Sequence, residues 1–141
     1  MTREAIQALL DRRRSAVLGR DTEAFGAVYA ESAQVESPLA GHLTGREAIM
    51  RAQDAVFNAF PDAAIVEDVA LIDGERAAVI ADFSGTQTGE ILGLPPTGRA
   101  FRIPVVYLSV VRDNQIVSER RIYDFTGLLV QIGVLKAKPA S

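Results

Sequence analysis

The sequence predicts a single α+β domain, a curved mixed or antiparallel sheet with three N-terminal helices covering one face. Two observations carry this. Apolar residues recur at helical spacing three times in the first sixty positions, and from Ala64 onward the chain changes to long strands grouped in two hairpins. No repeat, low-complexity tract or linker interrupts the order, so residues 1–141 are expected to form one domain, with a polar tail from Lys136 to Ser141.

Each element has its own signal. Ile6, Leu9, Leu10, Arg13 and Val17 share one helical stripe, which Gly19 ends. Asp21 is placed to cap a second, short helix carrying Phe25, Val28 and Tyr29. Residues 33–38 read as a strand stopped by Pro38, and residues 41–45 as turn material. A third helix sets Ile49, Ala52, Val56 and Ala59 on one face and stops before Pro61, because the residue preceding proline avoids helical geometry. Strands 64–72 and 76–84 flank the turn Asp73-Gly74-Glu75, and strands 99–112 and 115–125 flank Asp113-Asn114. Between the hairpins, residues 88–98 have loop chemistry yet contain Ile91, Leu92 and Leu94, so this loop is expected to fold back on the domain. A short helix over 127–131, closed by Gly133, completes the chain.

Composition narrows the function classes. Of 141 residues, 48% are apolar and 23% charged, which suits a folded core; 15 basic against 18 acidic residues leave no footprint for nucleic acid. The absence of cysteine removes disulfides, thiol catalysis and cysteine metal sites, and one histidine removes a His-rich metal centre. The acidic residues make no metal-ligand spacing, so neither a metal nor a cofactor is expected. No apolar run approaches the roughly 18 residues of a membrane span, and the first residues lack a signal-peptide pattern. A soluble cytoplasmic protein is the expectation.

A two-residue turn at Asp113-Asn114 pairs Arg112 with Gln115. Counting outward then sets Tyr107 opposite Arg120, Val105 opposite Ile122 and Ile103 opposite Asp124, all on one face. That face is apolar with isolated polar groups, the composition of a ligand cavity. The opposite face carries Val106, Leu108 and Val110, too apolar for plain solvent, and suggests a subunit interface. A one-residue bulge would exchange the two sets.

The order of elements resembles the nuclear-transport-factor-2-like superfamily. Three pieces resemble its SnoaL-like polyketide cyclase (ester cyclase) family: Phe60-Pro61-Asp62; Gly85-Thr86-Gln87-Thr88-Gly89 running into Gly93-Leu94-Pro95-Pro96-Thr97-Gly98-Arg99; and Asp124 followed by residues 127–133. The similarity spans about residues 3 to 135. It implies a cone-shaped α+β barrel, a homodimer formed through the sheet, an internal pocket and no cofactor. It also implies an aspartate general acid/base that closes a ring by intramolecular aldol condensation, and that aspartate matches Asp124. Members often carry histidine where this chain has Gln87, which can hydrogen-bond but cannot exchange a proton near pH 7.

The resulting expectation is a cofactor-free lyase or isomerase acting on a small hydrophobic carbonyl compound. Asp124 is the catalytic acid/base, or else a cap for the final helix or an ion-pair partner. Tyr107 and Gln87 are hydrogen-bond donors to substrate, and Arg120 holds a carboxylate or phenolate, or else neutralises Glu36 or Asp82. Leu92, Leu94, Ile103, Val105 and Tyr29 line the pocket. His42 is a solvated turn residue, and Arg12-Arg13-Arg14 reads as a charged helix face. The competing readings are a non-catalytic binding or scaffold protein of the same fold, and epoxide hydrolysis in the same pocket.

Overall fold

A computed structural model describes residues 1–136 of the chain. The helices are α1 (Arg3–Leu18), α2 (Thr22–Ala27), α3 (Arg46–Ala59) and α4 (Phe125–Gln131). The strands are β1 (Tyr29–Ser37), β2 (Gly41–Thr44), β3 (Ala64–Asp73), β4 (Arg76–Thr86), β5 (Ala100–Arg112) and β6 (Gln115–Tyr123). Six strands make one mixed sheet in the order β2-β1-β6-β5-β4-β3, with β1 parallel to β6 and the other pairs antiparallel. The sheet is curved but open: β2 and β3 are its free edges, so the barrel is not closed.

Local chemistry fixes the helices that cover it. Thr2 caps α1 by accepting from the Ala5 amide at 3.1 Å, and Asp21 caps α2 through the Ala24 amide at 3.0 Å. The α1 stripe Ile6, Leu9, Leu10 and Val17 is buried against the sheet; each such side chain contributes about 1.5–3 kcal/mol by leaving water. Arg13 lies on the same stripe and is equally buried, a departure from the charged face expected of Arg12-Arg13-Arg14. Helix α2 is shorter than its apolar pattern suggested, so Tyr29 opens β1 instead of ending the helix. Residues 41–44, expected as turn, form edge strand β2 on β1. Of the polar tail, residues 137–141 lie outside the described residues.

The β5–β6 hairpin departs from the expected register. Asp113 and Asn114 both have positive φ, the two-residue turn expected, and Arg112 pairs with Gln115. One residue pair further, Val111 faces Ile116 while Val110 faces Ser118, so Val117 is bulged out. Beyond the bulge every β6 side chain changes face: Tyr107 lies opposite Arg121 and Val105 opposite Tyr123. Glu119, Arg121 and Tyr123 therefore turn inward, and Arg120 and Ile122 turn outward. The outer face also exposes Leu71 and Leu108.

Candidate active site

The helices, the inner face of the sheet and the 88–98 loop enclose a cavity of about 570 Å³. Val17, Phe25, Val56, Phe60, Ile65, Phe83, Ile91, Val105 and Leu128 supply most of its apolar wall. The loop is held against the end of α3, where the Gly89 amide donates to the Ala59 carbonyl at 3.2 Å. A Cβ at Gly89 would run into the Asn58 carbonyl, so this approach requires glycine.

At its buried end the cavity meets a charged cluster drawn from four elements. Glu119 of β6 is buried, and both its carboxylate oxygens are engaged. Oε1 accepts from Arg13 of α1 and from Ser109 of β5 (2.9 Å); Oε2 accepts from Tyr29 of β1 (2.7 Å) and from Arg121 (2.9 Å). Arg121 also donates to the Tyr29 hydroxyl at 3.1 Å. Burial pushes the Glu119 carboxyl up, but the two guanidiniums together with the Tyr29 and Arg121 hydrogen bonds outweigh it and hold the group down at about 2. Burial and the adjacent Glu119 charge push the Tyr29 phenol up to about 12 against the pull of the arginines. Glu119 is thus a fixed anion near neutral pH, unsuited to carrying protons.

Tyr107 stands between the two cations, with the Arg13 guanidinium 4.5 Å and the Arg121 guanidinium 5.8 Å from its ring centre. Burial raises its phenol pKa, and no protein group among the described residues hydrogen-bonds its hydroxyl. Gln53 of α3, also buried, lines the same cavity. Toward the exposed end lie Leu39, Glu90, Leu92 and Tyr123, whose hydroxyl bonds Ser37 Oγ at 2.8 Å and the Leu39 amide at 3.1 Å.

Of the residues expected from sequence, the structure brings Tyr107, Val105 and Leu92 to the cavity wall. It separates the others from it. Tyr29 is buried behind the wall in the Glu119 cluster. Gln87 is spent inside the loop, donating to the Pro95 carbonyl and accepting from the Thr97 amide and hydroxyl. Arg120 faces outward beside Glu36 at 3.8 Å, the structural alternative weighed for it. Ile103 packs in a second apolar cluster with Phe60 and Phe101, and Leu94 pairs with Ile91 within the loop. Asp124 is exposed, lacking the desolvated setting expected of it, because β6 ends at Tyr123 and the chain turns there into α4. Its Oδ1 accepts from the Gly127 amide at 2.8 Å and caps α4.

Arg13, Gln53, Glu119 and Arg121 were not among the expected site residues. A signal existed for Arg13, an arginine in register with Leu9, Leu10 and Val17; the signal for Glu119 and Arg121 was hidden by the bulge. Among the described residues no group of three His, Asp or Glu could hold a metal ion, and no helix is long and apolar enough to cross a membrane.

An open curved sheet cupped around a cavity by N-terminal helices is the ketosteroid isomerase-like architecture. A hypothetical protein of that fold from Catenulispora acidiphila superposes with a TM-score of 0.79 at 20% identity, over 93% of this chain and 97% of that one. The chain belongs to the SnoaL-like polyketide cyclase family, whose sequence model matches residues 8–132. Among solved structures it is similar to TsrD from Streptomyces laurentii (TM-score 0.85, 24% identity, 96% of this chain and 99% of that one). It is also similar to IdmH from Streptomyces antibioticus, a proposed polyketide cyclase (TM-score 0.77, 28% identity, 90% and 97%). No curated protein matches the sequence.

Proposed function

We propose that the protein is a cofactor-free cyclase-type enzyme that closes a ring in a hydrophobic carbonyl compound by intramolecular aldol addition. The observation that carries this reading is the cavity. Its volume suits a bi- or tricyclic ligand, its wall is mostly apolar, and its few polar groups include Arg13, Arg121, Tyr107 and Gln53. In the reaction a base removes a proton alpha to one carbonyl, and the enolate carbon attacks a second carbonyl. The same group then returns its proton to the new alkoxide; one C–C bond forms and the mass is unchanged.

Tyr107 has an uncommitted hydroxyl to donate to the oxygen on which charge develops. The proton-transfer role falls to Asp124 on the strength of the family resemblance. It stands in sequence between two wall residues, Tyr123 and Leu128, and the cap leaves Oδ2 without a hydrogen bond from any of the described residues. In this reading a bound substrate supplies the desolvation that an exposed Asp124 lacks. Glu90, the carboxylate that lines the cavity itself, is the competing base. One observation favours a second reading, a non-catalytic small-molecule carrier: Asp124 already has a structural task as a helix cap.

The test is incubation with hydrophobic aromatic β-keto esters that carry a further ring ketone within reach of the enolate carbon, followed by chromatography and mass spectrometry for a product of unchanged mass. Asp124→Asn is expected to lower turnover by roughly 10²–10⁴-fold. Loss with Glu90→Gln alone would reassign the base. Tight binding with no turnover of any such compound would leave the carrier.

A further inference from the structure

We infer that the buried end of the cavity is an anion subsite, and that the ligand of this pocket is an apolar ring system carrying one anionic oxygen group, a carboxylate, phenolate or enolate. The inference rests on the proposed use of this cavity for a small hydrophobic molecule and adds the charge that molecule carries.

Arg13 and Arg121 bring two positive charges and Glu119 one negative, so the cluster holds an excess of one. Tyr29 and Tyr107 stay neutral, since burial raises both phenols. Among the described residues, Glu119 is the one carboxylate ion-paired with either guanidinium. Further out, Arg46 donates to the Tyr29 carbonyl at 2.7 Å and adds to the same sign. The side chains of Arg13 and Arg121 are 5% and 13% exposed, so bulk water does little to offset the excess. Buried charges are ordinarily paired, and an unpaired one is costly.

Geometry shows where the compensating charge belongs. Both guanidiniums line the cavity, and two polar side chains at least nine-tenths buried line it beside them, Tyr107 and Gln53. Neither is hydrogen-bonded to protein among the described residues, yet no buried side-chain polar atom there lacks a partner, so their polar atoms open onto the cavity. Two guanidiniums flank the Tyr107 ring, and the Gln53 carboxamide adds a donor on the wall of the same cavity. With both its oxygens already occupied, Glu119 cannot absorb the second guanidinium's remaining N–H groups. An oxyanion fixed to a ring system meets these donors while its body fills the apolar wall.

Two dyes with nearly the same aromatic body test this: 1-anilinonaphthalene-8-sulfonate, which is anionic, and N-phenyl-1-naphthylamine, which is neutral. Fluorescence titration of the wild-type protein is expected to show the anionic dye binding at least tenfold more tightly. Arg121→Met balances the cluster at zero and is expected to remove that preference while leaving the neutral dye within about threefold. Glu119→Gln combined with Arg121→Met restores the excess on Arg13 and is expected to recover at least threefold preference. Equal binding of the two dyes by the wild type, or equal weakening of both in Arg121→Met, overturns the inference, as does a double variant with no recovered preference. If a variant does not fold, the wild-type ratio decides. Binding of the neutral dye without preference sinks the anion subsite but keeps the hydrophobic pocket; binding of neither dye sinks both.

Discussion

Glu119 and Asp124 lie five residues apart and have opposite surroundings. Glu119 is buried and takes four hydrogen bonds from α1, β1, β5 and its own strand; Asp124 is exposed and takes one, from an amide three residues on. The bulge at Val117 turns Glu119 inward, whereas Asp124 lies past the end of β6 and caps α4. The comparison teaches that a carboxylate near apolar neighbours in sequence need not be the desolvated one. Burial of charge is arranged by partners far along the chain, whereas a cap is arranged locally.

The largest expected effect breaks the buried half of the pair. Glu119→Ala leaves two guanidiniums without their shared counter-ion, and removing one partner of a buried pair costs roughly 3–5 kcal/mol. Thermal unfolding should show Tm falling by roughly 10 °C or more, with loss of the folded state as the extreme. A change of only a degree or two would mean that the cluster is not the structural keystone its geometry suggests.

Acid sharpens the same contrast. The Glu119 carboxyl is held at about 2 in the folded chain, against an ordinary value of 4.5. A depressed carboxylate contributes stability above its unfolded pKa, and that stability is lost as pH falls through the folded one. The window is therefore from about 4.5 down to about 2, and the loss is on the order of 3 kcal/mol. Urea unfolding across that range should steepen in the wild type and flatten in Glu119→Gln. Asp62, lowered by its hydrogen bonds from Thr86 despite being nearly fully exposed, gives a shallow slope common to both proteins. Equal slopes in the two would show that Glu119 titrates normally.

Much of the fold was legible because its signals are local. The α1 stripe, the Asp21 cap, the stop before Pro61 and the Asp113-Asn114 turn each depend on residues within a turn or two of one another. The site was less legible because its residues depend on register. A single extra residue, Val117, exchanged Arg120 for Arg121, and nothing in Gln115-Ile116-Val117-Ser118 marks which residue bulges. Gln87 was drawn to the loop by its own neighbours, Pro95 and Thr97, which no periodicity reveals. Arg13 was the missed opportunity. A cation in phase with Leu9, Leu10 and Val17 predicts a buried counter-ion, and an inward Glu119 could have been sought on that ground.

The smallest expected effect separates the two roles that Asp124 can hold. As a cap it satisfies one orphan amide of α4, and Gly127 has no side chain to obstruct the carboxylate. Asp124→Ala should cost about 1 kcal/mol, a few degrees in Tm at this chain length. Asp124→Asn keeps a carbonyl oxygen for the Gly127 amide, so its stability should stay within about 0.5 kcal/mol of wild type. Asparagine cannot exchange the proton, however, so a catalytic Asp124 loses turnover in both variants while a merely structural one loses stability in the alanine variant alone. The discriminating measurement is the asparagine variant: normal Tm with turnover lost assigns the acid/base role, and normal Tm with turnover kept leaves Asp124 a cap and moves proton transfer to Glu90.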